Sequence, residues 1–247
     1  MVCDYIKDVL LLIATIINAA LVIAGGLIGV LFGNRIKERY TKAIMTVMSL
    51  VTVVIGIKFA VGTSDILIIV VCLVLGTLMG TALKLDDRLN NSGDFIKEKL
   101  KNTKLGKGSF SDAFVTTSVL FCVGSMTVIG SIQAGLNHDY SILLTKSVMD
   151  FIASIAFASA FGGGVILSAV TVLLVQGSIT LLASVISPLL TAEVIAEMSA
   201  VGGAMFIGMA INMLGLREEK IKVGDMLPGI ILPIAYIPIA NWITSII

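Results

Sequence analysis

Residues 9–33 read VLLLIATIINAALVIAGGLIGVLFG, 25 positions without one charged side chain. At 1.5 Å per residue a helix of that length reaches about 37 Å, more than the roughly 30 Å of hydrocarbon in a bilayer. Strand alternation is absent, and a backbone in lipid must satisfy its polar groups within the segment, so the stretch is read as a transmembrane helix. The preceding MVCDYIKDVL sets two acids against one lysine. That flank and the length of the apolar run argue against a cleaved targeting signal and for a span that stays.

The rest of the chain repeats the pattern. Of 247 residues, 57% are hydrophobic and 13% charged, and the mean hydropathy is +1.06, outside the range of soluble globular domains. Runs of about 20 apolar residues predict eight spans, near 9–33, 43–62, 65–84, 112–135, 141–161, 163–187, 192–214 and 227–246. The expected fold is an all-α polytopic membrane protein forming a single transmembrane domain over 1–247. The shortest break, FGGGVIL between the fifth and sixth spans, leaves a seven-helix count with one re-entrant piece as the alternative.

Charge sets the orientation. Arg35, Lys37, Arg39 and Lys42 follow the first span; Lys84, Arg88, Lys97, Lys99, Lys101, Lys104 and Lys107 follow the third; Arg217, Lys220 and Lys222 follow the seventh. These loops, all on one side of an eight-span chain, carry 14 of the 17 basic residues. The positive-inside rule makes them cytoplasmic and puts both termini outside, at the cell membrane. The basic loop 85–111 contains Phe95, Ile96, Leu100 and Leu105, an apolar face for an interfacial helix lying on anionic headgroups. Its LGKGSFSD lacks the glycine and hydroxyl positions of a phosphate-binding loop, and no nucleic-acid partner is expected.

A faint internal repeat adds an architectural expectation. TKAIMTVMSLV from Thr41 and TAEVIAEMSAV from Thr191 share Thr, Met, Ser and Val at an offset of 150 residues, Asn18 falls opposite Ser168 at that offset, and the DIL at Asp65 resembles the DML at Asp225. Spans one to three thereby map onto six to eight, five spans apart, so the copies would cross in opposite directions. Inverted repeats of this kind recur in secondary transporters. Gly25, Gly29 and Gly33, and Gly76 with Gly80, recur at intervals of four and form ridges for close helix approach. That packing is read as intramolecular, with a homo-oligomer left open.

The fifth span carries the chemistry. In LLTKSVMDFIASIAFASA, from Leu143 to Ala160, Lys146 and Asp150 lie one turn apart in an otherwise apolar or small segment. If the span begins near Ser141, they sit roughly 8 Å and 14 Å deep. Each costs about 2.5 to 3.5 kcal/mol at the bilayer centre when unpartnered. Lys146 has a four-carbon stem that can snorkel to the interface, as can Lys58 near the outer end of its span. Asp150 cannot, and is read as a cation or proton site. Asn18, Ser125, Thr127, Gln133, Gln176 and Asn212 are further intramembrane polar groups, each alone more often a helix-to-helix hydrogen bond than a ligand. Local unwinding is expected around Gly124 and Gly130, around SAVGGAMFIG in the seventh span, and at Pro233 and Pro238 in the eighth.

Cys3, Cys72 and Cys122 are scattered without a CxxC, and His138 is alone in a turn, so no metal or cofactor is expected. Neither HExxH nor GxSxG occurs, which leaves no enzymatic motif.

The chain resembles the family of bacterial integral membrane proteins catalogued as domain of unknown function 554. The resemblance is carried by INAALVIAGGLIG at 17–29, VGSMTVIGSIQAGL at 123–136, SILLTKSVMDFIASIAFASAFG at 141–162, SAVGG at 199–203 and MLPG at 226–229. It implies that Lys146, Ser147 and Asp150, with Asn18 and Ser199 to Gly203 (including Gly202), form the family's signature. It implies no activity. The functional expectation is a secondary transporter of a small solute, coupled to H⁺ or Na⁺, with Asp150 and Lys146 at its site. The alternative is a scaffold or accessory subunit in which the two charges are a structural pair.

Overall fold

A computed structural model describes residues 11–33, 38–100 and 109–244. Cys3, Lys7, Arg35, Lys37, Lys101, Lys104, Leu105, Lys107 and the outer ends of the first and eighth expected spans lie outside the described residues, as does the side chain of Leu100. The described elements are α1 (Ile13–Gly33), α2 (Glu38–Ala60), α3 (Ile66–Leu83), α4 (Leu85–Leu100), α5 (Phe110–Cys122), α6 (Ser125–Asn137), α7 (Ser141–Phe161), α8 (Gly164–Leu181), the short α9 (Ala183–Ile186), α10 (Ala192–Leu214), the short α11 (Pro228–Ile231) and α12 (Pro233–Thr244). Among the described residues there is no strand.

Among the described residues six helices are long and apolar enough to cross a membrane: α1, α2, α3, α7, α8 and α10. Two bent pairs bring the number to eight if each is one span: α5 with α6, bent by 58°, and Val223–Ile231 with α12, bent by 44°. The first bend falls at Gly124, whose φ of 128° is open to glycine and closed to most side chains. The second falls at Pro233, which cannot donate into the preceding turn. Pro238, expected to kink or break the last span, does not break it and sits inside α12. The seventh span is also unbroken: α10 runs through Gly202 and Gly203, and Gly203 serves close packing against Gly56 and the backbone of Ala60. The fifth and sixth spans are separate helices, divided at Gly162 with φ 96°.

The chain forms two compact units that interleave in sequence, Met1–Met48 with Asn90–Ser187 and Ser49–Leu89 with Pro188–Ile247. In the first unit the glycine ridge of α1 lies on the backbone of α7. A Cβ at Gly25 would stand 2.5 Å from the Phe151 carbonyl oxygen and one at Gly33 2.5 Å from that of Ser159, with Gly29 against Ile155 between them. Positions four apart on one helix meet positions four apart on the other in the same order, so α1 and α7 are parallel. Gly26 meets Ile166 while Gly177 faces Leu12, so α1 and α8 are antiparallel. Gly164 abuts Phe110 and Gly135 abuts Thr180, so the α5–α6 pair runs parallel to α8.

In the second unit Gly56 meets Ile207 and Gly203 meets Ala60, an antiparallel α2–α10 contact. Gly76 meets Gly229 and Gly80 meets Asp225, an antiparallel packing of α3 on the start of the last span. Within each unit, then, odd spans oppose even ones, as eight successive crossings require.

Polar clasps hold the ends of the second unit. Glu197, 1% exposed, accepts bonds from the Ser64 amide at 2.6 Å, the Ser64 hydroxyl at 2.9 Å and the Thr63 hydroxyl at 2.6 Å. It thereby satisfies donors ahead of α3, beside the Asp65 N-cap. Asp225 accepts from the Asp86 amide at 2.9 Å, and Asp86 in return accepts from the Gly224 amide at 2.8 Å. Burial pushes the Asp86 carboxyl above the ordinary carboxylate range, against the Gly224 bond. The exposed Asp87 is held below that range by its hydrogen bond with Lys222.

The basic loop between the third and fourth spans begins as helix α4, with Asp86 and Asp87 in its first turn and Lys97 and Lys99 in its last, the order a helix dipole favours. Phe95 is exposed and Lys99 Nζ lies 4.5 Å from the centre of its ring.

Candidate functional site

The ridge that joins α1 to α7 also sets what faces Asp150. Gly25 lies against Phe151 and Ser154. Two turns before Gly25, on the same side of α1, is Asn18, and its amide reaches Asp150 Oδ2 at 3.0 Å. Lys146 and Asp150, at i and i+4, share one face of α7 and form an ion pair at the same Oδ2. Both residues are buried, each 7% exposed.

The antiparallel α8 delivers Gln176 to the same level, where its Oε1 accepts a second bond from the Asn18 amide at 3.3 Å. Gly135 on α6 abuts Thr180, so Ser131, one turn earlier, stands level with Gln176. The bend between α5 and α6 adjoins the lysine. Lys146 Nζ lies 5.8 Å from the centre of the Phe121 ring, and the Thr127 hydroxyl crosses the break to bond the Phe121 carbonyl at 3.1 Å.

The hydrogen-bond inventory around this pair is incomplete. Thr15 Oγ1, Asn18 Oδ1, Ser131 Oγ, Ser154 Oγ, Gln176 Nε2 and Thr180 Oγ1 are buried without a partner among the described residues, and their residues are 0% or 1% exposed. All six lie in the first unit, on α1, α6, α7 and α8. Four of them flank the charged level by one turn or share it: Thr15 precedes Asn18 by one turn, Thr180 follows Gln176, Ser154 follows Asp150, and Ser131 is level with Gln176. A buried polar atom left unbonded costs about 1 to 3 kcal/mol. Six on adjoining helices indicate groups held for something other than one another.

Of the residues singled out in the sequence, Asp150, Lys146, Asn18 and Gln176 come together. Ser147 shares their helix but bonds the Leu143 carbonyl at 2.7 Å. Thr127 bridges the break, and Ser125 and Gln133 are half-buried on α6. The others belong to the second unit. Ser199 bonds the Ile195 carbonyl at 2.8 Å, Gly202 and Gly203 are buried in α10, and Asn212 clasps both the N–H and the C=O of Ile221 at 2.8 Å. Lys58 is exposed, as snorkelling requires. Ser131, Thr15, Thr180 and Glu197 escaped the sequence reading. The hydroxyls were hidden because Ser and Thr are common in such helices and normally bond their own preceding turn. Glu197, a carboxylate six residues beyond the Thr191 cap, had a legible signal. Among the described residues no cluster of three or more His, Cys, Asp or Glu can hold a metal.

The family model described as Protein of unknown function (DUF554) matches residues 13–237. The chain is 33% identical over 223 residues to the "Uncharacterized membrane protein YdfK" of Bacillus subtilis (strain 168), covering 89% of this chain and 93% of that one. It is 29% identical over 224 residues to the "Uncharacterized protein YqgA" of Escherichia coli (strain K12), covering 90% and 94%. No solved structure matches significantly. With an all-helical membrane fold and a family match over nearly its whole length, the chain belongs to the DUF554 family of membrane proteins.

Proposed function

We propose that the protein is a secondary transporter of a small solute, coupled to H⁺ or Na⁺, with its binding site at the Asp150 level of the first unit. Asp150 takes a proton, a Na⁺ ion or a cationic group, and Lys146 pairs with Asp150 in one state and with an anionic group of the load in another. The observation that carries this reading is the set of six buried, unbonded polar atoms around the ion pair. A purely structural pair would be closed by its neighbours, because open polar groups in a low-dielectric interior are costly.

Three further features support the reading. The bent α5–α6 pair adjoins Lys146 through Phe121, and interrupted helices commonly line transport sites. Each span of the proposed inverted repeat packs antiparallel to its counterpart within one unit: first with sixth, second with seventh, third with eighth. The basic loops favour a cell-membrane topology with both termini outside.

One observation favours the scaffold alternative, namely that Lys146 and Asp150 already neutralise each other. A current screen on solid-supported membranes over cations, amino acids and organic anions separates the two. The transporter reading expects a current in wild type that Asp150→Asn abolishes. Equal currents would remove Asp150 from the mechanism, and silence across the screen with folded protein would favour the scaffold.

A further inference from the structure

Resting on the transport reading, we infer that the solute held at this site is a small zwitterion of the α-amino-acid type, its ammonium on Asp150 and its carboxylate on Lys146.

The inference comes from charge and from the sense of the open hydrogen bonds. Lys146 and Asp150 are buried and neutral as a pair. Among the described residues the ammonium of Lys146 has no carboxylate partner other than Asp150. A bare cation at Asp150 would displace Lys146 and leave it charged and unpaired in the interior. A bare anion on Lys146 would strand Asp150 in the same way. Both are the costly case for buried ions, whereas a load whose own charges cancel converts one internal pair into two and leaves no net charge.

The neighbouring amides fit such a load at both ends. Asn18 spends its N–H donors on Asp150 and Gln176, and its Oδ1 remains an open acceptor; Gln176 spends its Oε1 on Asn18, and its Nε2 remains an open donor. An ammonium can donate to Asn18 Oδ1 while it pairs with Asp150, and a carboxylate can accept from Gln176 Nε2 while it pairs with Lys146. A cation alone leaves the glutamine donor unused, and an anion alone leaves the asparagine acceptor unused. Lys146 is the group suited to withdraw, because its charge rides on a flexible four-carbon stem with freely rotating donors. Carboxylate Oδ1 of Asp150 is also available, since both protein donors converge on Oδ2.

The test is equilibrium binding to wild-type protein in lipid nanodiscs, using each of the twenty radiolabelled proteinogenic amino acids. Whichever binds is then competed with its carboxamide, which is only cationic, and its N-acetyl derivative, which is only anionic. The expected result is binding of at least one amino acid, with each blocked form at least tenfold weaker. Gln176→Leu should weaken the amino acid more than its carboxamide, because a donor lost to a charged carboxylate costs more than one lost to a neutral carbonyl, whereas misfolding would weaken both alike. Blocked forms that bind as well as the parent would overturn the zwitterion. Binding of ²²Na⁺ or a simple organic anion alone, without any amino acid, would overturn it while leaving the transport reading intact. Failure of all three probe classes with folded protein would take down both.

Discussion

Neutralising one member of the buried pair should hurt more than neutralising both. Asp150→Asn leaves the ammonium of the buried Lys146 with its carboxylate gone, and Lys146→Met leaves Asp150 with the Asn18 amide as its one hydrogen-bond donor among the described residues. Removing one partner of a buried pair costs about 3 to 5 kcal/mol, whereas replacing both by groups of similar volume is often close to neutral. In a chain of this size about 1 kcal/mol corresponds to about 2 to 4 °C in melting temperature. Each single variant should therefore melt about 6 to 20 °C lower than wild type. The double variant, Lys146→Met with Asp150→Asn, should recover most of that loss, so that its cost falls about 5 to 10 kcal/mol short of the sum of the two singles. The assay is thermal unfolding in mild detergent followed by helical circular dichroism, on all four proteins of the cycle. Additive effects, or single variants no worse than the double, would refute the claim that the charges sit together in a low-dielectric interior.

The other expectations concern the scaffold around the site. Gly29→Ala should destabilise by about 1 to 3 kcal/mol, the usual cost of overpacking, because its new Cβ meets the Ile155 carbonyl and the Ala158 Cβ with no flexible atom to yield. Thermal unfolding reads this, and an unchanged melt would contradict the direct α1–α7 backbone contact. Asn212→Ala breaks two bonds to Ile221 and should free the loop after α10. Limited proteolysis should then cut near Arg217 to Lys220 several-fold faster, while binding at the first unit is unchanged.

The architecture was written in the hydropathy. Eight apolar runs fell within a few residues of the helices because a bilayer imposes a length that no other setting does, and Asn18, Lys146 and Asp150 stood out as costly residues in those runs. The glycine spacing in α1 announced a close contact but not its partner, since a ridge specifies a small surface and not the helix that uses it. The interruption at Gly124 was legible from its composition. The one expected in α10 was not formed, because Gly202 and Gly203 are used to admit another helix and not to unwind their own. Gln176 was visible as a lone amide, but its place beside Asn18 depends on α8 running antiparallel to α1, which only three-dimensional contacts reveal. The open hydroxyls were invisible for a stronger reason: whether a serine bonds its own turn, as Ser147 does, or stays open, as Ser131 does, is settled by rotamer and neighbours.

The central claim is that the polar level around Asp150, closed in this structure, opens to water in another state of a transport cycle and is not a permanently sealed structural pair. Cysteine accessibility tests it directly. In a background with Cys3, Cys72 and Cys122 replaced by Ser, Ser131→Cys places a thiol at a 0%-exposed position whose hydroxyl has no bond to lose. Val54→Cys, 65% exposed on an apolar helix surface, supplies a control that faces lipid. A membrane-impermeant maleimide reacts only with thiols that water reaches. The expected result in intact membranes is labelling at Ser131→Cys, slowed by a bound solute, with none at Val54→Cys. Equal resistance of both thiols, with the protein folded, would contradict the account.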